Sequence, residues 1–159
     1  MILEILNWGF RGMLIGMCLN AHSAVLTKEV VLQKIKAHSA KAVVPAQIPV
    51  SIMVISAGLD EKFNEMSDKP LVSMQGIMGI TCTLAKKHDK AVTDSNCIEK
   101  LHNSDYAIPL GINILTGYFT ACQSDTKCTL KKWYGNNDKA TEAFGLYKGL
   151  MLIFTKPVK

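Results

Sequence analysis

Residues 48–64, IPVSIMVISAGLDEKFN, decide the class of fold that this sequence predicts. Pro49 suits the first turn of a helix, where its missing N–H leaves no hydrogen bond unmade. The apolar run behind it has the length of a helix and leads into two adjacent carboxylates, Asp60 and Glu61. We therefore predict a helix from Pro49 to Glu61 or Lys62 that ends in a pair of acids.

Other segments of the chain also have the spacing of helices rather than the alternation of strands. Residues 27–40 place apolar side chains on one face, with Thr27 as the predicted N-cap. Further helices are predicted over residues 77–88 (broken or begun near Gly79), 97–103, 107–121, 128–135 and 138–156. The last includes GLMLIF, which is equally compatible with a strand. The pattern predicts a mainly α protein with one compact domain.

Length, composition and motif content limit the classes of function that this chain can have. The 159 residues are 48% hydrophobic and 19% charged, as expected of a single globular domain with a core. The formal net charge is +5, but the lysines are scattered, so we expect no nucleic-acid partner. There is no glycine loop for phosphates, and the histidines and cysteines lack the spacing of a metal site. We expect neither a metal nor a cofactor.

The N-terminal residues have the features of a secretory signal peptide. Arg11 precedes an apolar stretch at 12–19, and small residues follow at 21–24. We expect residues 1–24 to be a signal peptide and residues 25–159 to form a periplasmic domain. An ordinary amphipathic helix is the alternative. The apolar stretch is too short to cross about 30 Å of hydrocarbon, so membrane contact is expected only through the signal peptide.

Cysteine usage agrees with export. Beyond the predicted signal peptide the chain contains Cys82, Cys97, Cys122 and Cys128. An even number of cysteines in an exported chain suggests disulfides, for which three pairings exist. We favour the pairs that are local in sequence, Cys82–Cys97 and Cys122–Cys128, since each would close a polar loop. If the chain is not exported, four reduced thiols are expected instead.

The paired acids offer one kind of chemistry. A carboxylic acid protonates a leaving oxygen efficiently when its pKa is raised toward the working pH. Burial against apolar neighbours raises a carboxyl pKa, and SIMVISAGL supplies such neighbours for Asp60. Glycosidic cleavage uses carboxyl groups in this way. On this stretch alone, a solvated helix end explains the acids equally well.

Four stretches, in order between about residues 45 and 138, resemble motifs of the lysozyme-like lytic transglycosylases. IPVSIMVISAGLDEKFN is similar to the catalytic helix of that family, with Asp60 in the place of the catalytic Glu and Glu61 in the place of a Ser. The other three are SMQGIMGI (73–80), similar to G-A-M-G-L-M-Q-I; AIPLGINIL (107–115), similar to N-I-x-x-G-x-x-Y-L; and KKWYGNN (131–137), similar to A-A-Y-N-x-G.

This resemblance implies a lysozyme-like helical domain that cleaves the β-1,4 bond between N-acetylmuramic acid and N-acetylglucosamine in peptidoglycan. Asp60 would protonate the glycosidic oxygen and then act as base while the 6-hydroxyl closes a 1,6-anhydro ring, without a cofactor. Glu61 is the alternative acid. Substrate-binding residues are expected at Gln75, Met78, Tyr134 and Asn136.

The small exported members attached to type IV secretion systems resemble the chain most. They imply peptidoglycan strands as substrate, secretion-system subunits as further partners, and local wall opening during assembly. Two departures matter: Asp60 is one methylene shorter than the family's Glu, and Gly79 stands where the family has Gln. Gln75 is the nearby replacement for that amide. The alternative function is therefore a weak or inactive module that binds peptidoglycan or assists assembly. A secreted interaction protein on a disulfide scaffold is a third hypothesis.

Overall fold

The structure is a computed structural model that describes residues 22–65, 67–135 and 137–154, and every regular element in those ranges is a helix. The helices are α1 (His22–Ser39), α2 (Gln47–Ala57), α3 (Cys82–His88), α4 (Cys97–His102), α5 (Ser104–Ala121), α6 (Thr126–Tyr134) and α7 (Asn137–Phe154). The prediction of a mainly α protein is confirmed. The predicted signal peptide, residues 1–24, lies almost entirely outside the described residues.

Helix α2 is the central element of the core. It contacts α1, α5 and α7, and Ile48, Ile52 and Met53 have no exposed surface. A helix that is apolar on most of its faces is stable in water only when other elements surround it. The apolar run that begins at Ile48 is therefore buried by the helices that pack around α2.

Three helices, α3, α5 and α6, begin with an N-cap residue whose side chain accepts a hydrogen bond from the first turn. Thr81 Oγ1 accepts the Leu84 N–H at the start of α3, and Asn103 Oδ1 accepts the Asp105 N–H at the start of α5. Asp125 does the same for α6. Each cap satisfies a backbone donor that has no partner within its helix.

Several predicted helix boundaries differ from those observed. Helix α1 is already helical at His22, before the predicted start at Thr27, and residues 22–26 contain neither proline nor glycine to interrupt it. Helix α3 begins at Cys82, three residues after Gly79, where a break or a start was predicted; Gly76 and Gly79 have φ of 64° and 58°, which is not helical. The GLMLIF stretch, for which a strand was an alternative, is helical to Phe154.

Two disulfides hold the short helices, and both predicted pairings are confirmed. Cys82–Cys97 joins the first residues of α3 and α4, and Cys122–Cys128 joins the end of α5 to α6. Disulfides are typical of proteins from oxidising, exported locations. Within the described part of the chain, none of the helices has the length and apolar character needed to cross a bilayer.

Candidate active site

The site begins where α2 ends, earlier than the sequence predicted. The helix stops at Ala57 because Gly58 and Leu59 both adopt left-handed backbone, with φ of 56° and 67°. The N–H groups of these two residues return to the carbonyls of Val54 and Met53, as in a glycine-terminated helix end. Left-handed backbone at a residue such as Leu59 costs about 1–2 kcal/mol, which the packing of its side chain against the core must offset.

Asp60 and Glu61 follow in a turn. Asp60 is exposed, its Oδ1 accepts the Lys62 N–H at 3.0 Å, and its carbonyl accepts the Phe63 N–H at 3.4 Å. The apolar residues of α2 therefore do not enclose Asp60 as the sequence predicted. Glu61 is half-buried. Because the helix has already ended, these neighbours are not held about 100° apart around a helix axis.

A small set of bridges lies beside this turn. Asn64 pairs with Gln75, and Gln75 pairs with Ile80, both antiparallel. The Gln75 and Ile80 backbones exchange hydrogen bonds at 3.1 Å in both directions. Gly76 N–H also donates to the Phe63 carbonyl at 2.7 Å. Two of the motif-like stretches, 60–64 and 73–80, are thus joined through their backbones.

Gly79 stands where the resemblance expects Gln, and its packing explains why a side chain is absent. A Cβ atom at this position would lie 2.7 Å from Ser56 Cβ and 2.8 Å from Ser56 Oγ. The residue also has φ of 58°, which favours glycine. The last turn of α2 therefore occupies the space that the first atom of a Gln side chain would need.

Tyr134 connects the end of α6 to that same turn. Its phenol oxygen lies 3.1 Å from Ser56 Oγ and donates to the Ile52 carbonyl at 3.3 Å. Burial is the main cause that raises the pKa of Tyr134 to about 12; the Ser56 hydrogen bond opposes the shift, and the charge of Glu142 adds to it. The phenol is therefore a neutral structural link, with little surface for a ligand.

Two other predicted substrate-binding residues also lie inside the protein. Met78 has no exposed surface and packs so tightly on α5 that a Cβ at Gly111 would lie 2.5 Å from its Cε. Gln75 is 2% exposed, and its Nε2 donates to Ser73 Oγ at 2.9 Å and to the Pro70 carbonyl at 3.2 Å. Its Oε1 has no partner among the described residues. The predicted contact Asn136 lies outside the described residues.

Glu65, which sequence reasoning missed, lies just beyond the turn. Its Oε2 accepts the Met74 N–H at 3.2 Å, and its Oε1 pairs with Lys139 Nζ of α7 at 3.3 Å. The Met74 hydrogen bond is the largest cause that lowers the Glu65 pKa, although burial opposes it; Lys139 lowers it further. Glu65 is thus held as a carboxylate and is poorly suited to donate a proton. No periodic pattern links Glu65 with Lys139, so only the fold could reveal the pair.

Helix α4 packs against the other side of the bridges. His102 Nε2 donates to Asn64 Oδ1 at 3.0 Å, and a Cβ at Gly76 would collide with the Leu101 carbonyl. The predicted absence of a metal stays a prediction. Among the described residues, no group of three or more histidine, cysteine or acidic side chains is arranged to hold a metal.

No protein-family model, curated protein or solved structure matches the chain.

Proposed function

We propose that the chain is a peptidoglycan lytic transglycosylase with a lysozyme-like helical domain. The observation that supports this proposal most is that the four motif-like stretches contact one another: two of them meet the last turn of α2, and the third packs on Met78 of the second. Ser56 touches Gly79 and hydrogen-bonds Tyr134, while Met78 packs on Gly111. The end of that turn presents the two acids. Sequence similarity of short stretches does not by itself require such packing, so the packing is independent support.

The proposed chemistry needs one carboxyl group. Asp60, or Glu61 as the alternative, donates its proton to the glycosidic oxygen while the bond from that oxygen to C1 of N-acetylmuramic acid breaks. The resulting carboxylate then takes the proton of the sugar's 6-hydroxyl as the 6-oxygen bonds to C1. The product carries a 1,6-anhydro ring, and no water or cofactor is consumed. Glu65 is excluded as donor because its pKa is lowered and Lys139 holds its charge.

Asp60 and Glu61 each have a different feature that favours them as the proton donor. Asp60 matches the catalytic position of the resemblance but is exposed, and one of its oxygens already accepts the Lys62 N–H. Glu61 is half-buried and has one methylene more, so its carboxyl group reaches further. Because α2 ends at Ala57, helical geometry does not force Glu61 and Asp60 to point in different directions. Register still favours Asp60, with Glu61 second.

In this proposal Gln75 and Met78 support the backbone of the site from within, and Tyr134 ties α6 to α2. The proposed location is the periplasm, which agrees with two disulfides. The proposed biological role is local opening of the wall for a type IV secretion apparatus, with glycan strands as substrate and apparatus subunits as partners.

A second candidate function is favoured by one observation. Asp60 is exposed, whereas the sequence predicted that the apolar residues of α2 enclose it. The same surface on an inactive domain would bind peptidoglycan or a secretion subunit without turnover.

Digestion of purified sacculi by the full chain tests the proposal, with the products analysed by mass. Anhydro-muropeptides that disappear with Asp60→Asn and persist with Glu61→Gln support the assignment. The reverse pattern makes Glu61 the acid. Glu29→Gln, an exposed acid on α1, is the matched control and should cut like the parent chain. Reducing-end products would indicate a hydrolase, and retained sacculus binding without products would favour the module.

A further inference from the structure

The hydrogen bond between His102 and Asn64 joins two residues 38 positions apart at the edge of the candidate site. Asn64 is exposed, and His102 is half-buried at the last position of α4. With Asn64 Oδ1 as the acceptor, His102 supplies the Nε2 proton. The carboxamide of Asn64 is therefore held in one orientation, which is unusual for an exposed asparagine because free rotation of its side chain would otherwise be favoured.

The orientation leaves the donor end of the amide open. Among the described residues, no acceptor bonds Asn64 Nδ2, so both of its N–H groups are available at the surface. Open, oriented amide donors suit neutral oxygen acceptors, such as the hydroxyl and acetamido carbonyl oxygens of an N-acetylated glycan.

The position of Asn64 places these donors near the acids. The Phe63 N–H donates to the Asp60 carbonyl, and a turn closed in this way keeps its first and last Cα atoms within about 7 Å. Asn64 is the next residue. Its backbone is also fixed by the bridge to Gln75, so the amide cannot drift relative to the turn.

His102 is itself held in place by helix α4. This helix has only six residues, too few to be stable alone. At its start Cys97 is bonded to Cys82, and near its end the Leu101 carbonyl lies against Gly76. Both anchors precede His102, and the second lies at the residue directly before it.

We infer that Asn64 forms a saccharide-binding subsite beside the acids and that His102 is the positioning residue which orients its amide. This inference rests on the proposed function, since it assigns the donors to the glycan of the same site. His102 acts through Asn64 and does not itself transfer a proton in the reaction.

The test measures the affinity of the full chain for purified sacculi by co-sedimentation, and the kcat and KM of anhydro-muropeptide release. Loss of one neutral hydrogen bond predicts about three- to tenfold weaker binding for Asn64→Ala. His102→Ala should weaken binding similarly, raising KM more than it lowers kcat. The double variant, Asn64→Ala with His102→Ala, should bind sacculi with the same affinity as Asn64→Ala, because the two residues act as one unit.

His102→Gln keeps an amide donor and should restore binding to within about twofold, since only a donor to Asn64 is required. His88→Ala, an exposed histidine on α3, is the matched control and should bind like the parent chain. Thermal unfolding checks that each variant is folded. Equal binding by the parent chain and His102→Ala, or additive losses in the double variant, would overturn the inference alone. A parent chain that neither binds nor cleaves sacculi would overturn the proposed function as well.

Discussion

The hydroxyl of Ser56 lies 3.1 Å from the phenol oxygen of Tyr134, so the last turn of α2 is bonded to the last residue of α6. Both residues are buried, at 6% and 7% exposure. Since Tyr134 also donates to the Ile52 carbonyl, Ser56 supplies the proton in the bond between the hydroxyls. This chain of bonds fixes the end of the helix that presents Asp60 and Glu61.

Tyr134→Phe should lower the free energy of unfolding by about 1–3 kcal/mol, because Ser56 loses its partner while remaining buried. Urea unfolding followed by circular dichroism measures the change. Tyr118→Phe, on the half-buried face of α5, is the matched control and should cost less. In Tyr134→Phe combined with Ser56→Ala the losses should be less than additive. Full additivity would mean that the hydroxyls do not interact.

The stability of the protein should fall at alkaline pH partly through Tyr134. Its pKa is raised from 10.0 to about 12, so the folded state holds the proton over a range in which the unfolded chain releases it. The stabilisation is complete below pH 10 and is lost as the pH rises toward 12. The difference in unfolding free energy between the parent chain and Tyr134→Phe should therefore shrink over this range. A constant difference would contradict the raised pKa.

Glu65→Gln should destabilise the protein slightly near neutral pH, by less than about 1 kcal/mol, because the pair with Lys139 is partly solvated. The Glu65 pKa is lowered in the folded state, so its stabilisation is present above the usual glutamate pKa of about 4.3 and is lost as the pH falls below it. When unfolding is measured at several acidic pH values, the unfolding free energies of the parent chain and Glu65→Gln should converge as the pH falls. Glu99→Gln, an exposed acid on α4, should show a smaller effect.

Gly79→Gln should not restore a missing catalytic amide, although the resemblance suggests the exchange. Its Cβ would overlap Ser56, and non-glycine residues at this φ cost about 1–2 kcal/mol. We expect lower stability and no gain in sacculus cleavage. The losses from Gly79→Ala and Ser56→Gly should be less than additive in the double variant, because removal of the Ser56 side chain removes the overlap with the new Cβ. A stable, more active Gly79→Gln protein would show that the turn can rearrange.

The two disulfides should contribute unequally. Cys82 and Cys97 are 15 residues apart and fully buried, whereas Cys122 and Cys128 are 6 apart. Loop-closure entropy predicts about 3 kcal/mol for the first and about 2 kcal/mol for the second. Paired Cys→Ala variants, compared by urea unfolding, measure both. A larger loss from the second pair would mean that native-state contacts outweigh the entropy of the unfolded chain.

The sequence predicted those features of the fold that depend on neighbouring residues. Helical periodicity predicted the class of fold, and the cysteine spacing predicted both pairings. The end of α2 was missed because the apolar pattern continues through Leu59, past the glycine that ends the helix. Gly58 was the available signal, since glycine is common just beyond the last helical residue.

The candidate site was predictable only in part for a different reason. The acids and motif-like stretches are visible in the sequence, but their burial depends on what packs across from them. Met78 is enclosed by Gly111, and Glu65 is paired with Lys139 from α7. Such contacts join residues more than thirty positions apart, and no local rule of periodicity or propensity specifies them.

Both disulfides span short stretches, whereas the contact of Tyr134 with Ser56 spans 78 residues. Each covalent bond can therefore form as soon as its own segment has been synthesised and meets an oxidant, before α7 is available to pack. The central turn, by contrast, can be completed only after residue 134 arrives. Oxidation and assembly of the candidate site are thus separable in time: an emerging chain can be fully cross-linked while its acids still lack their final surroundings.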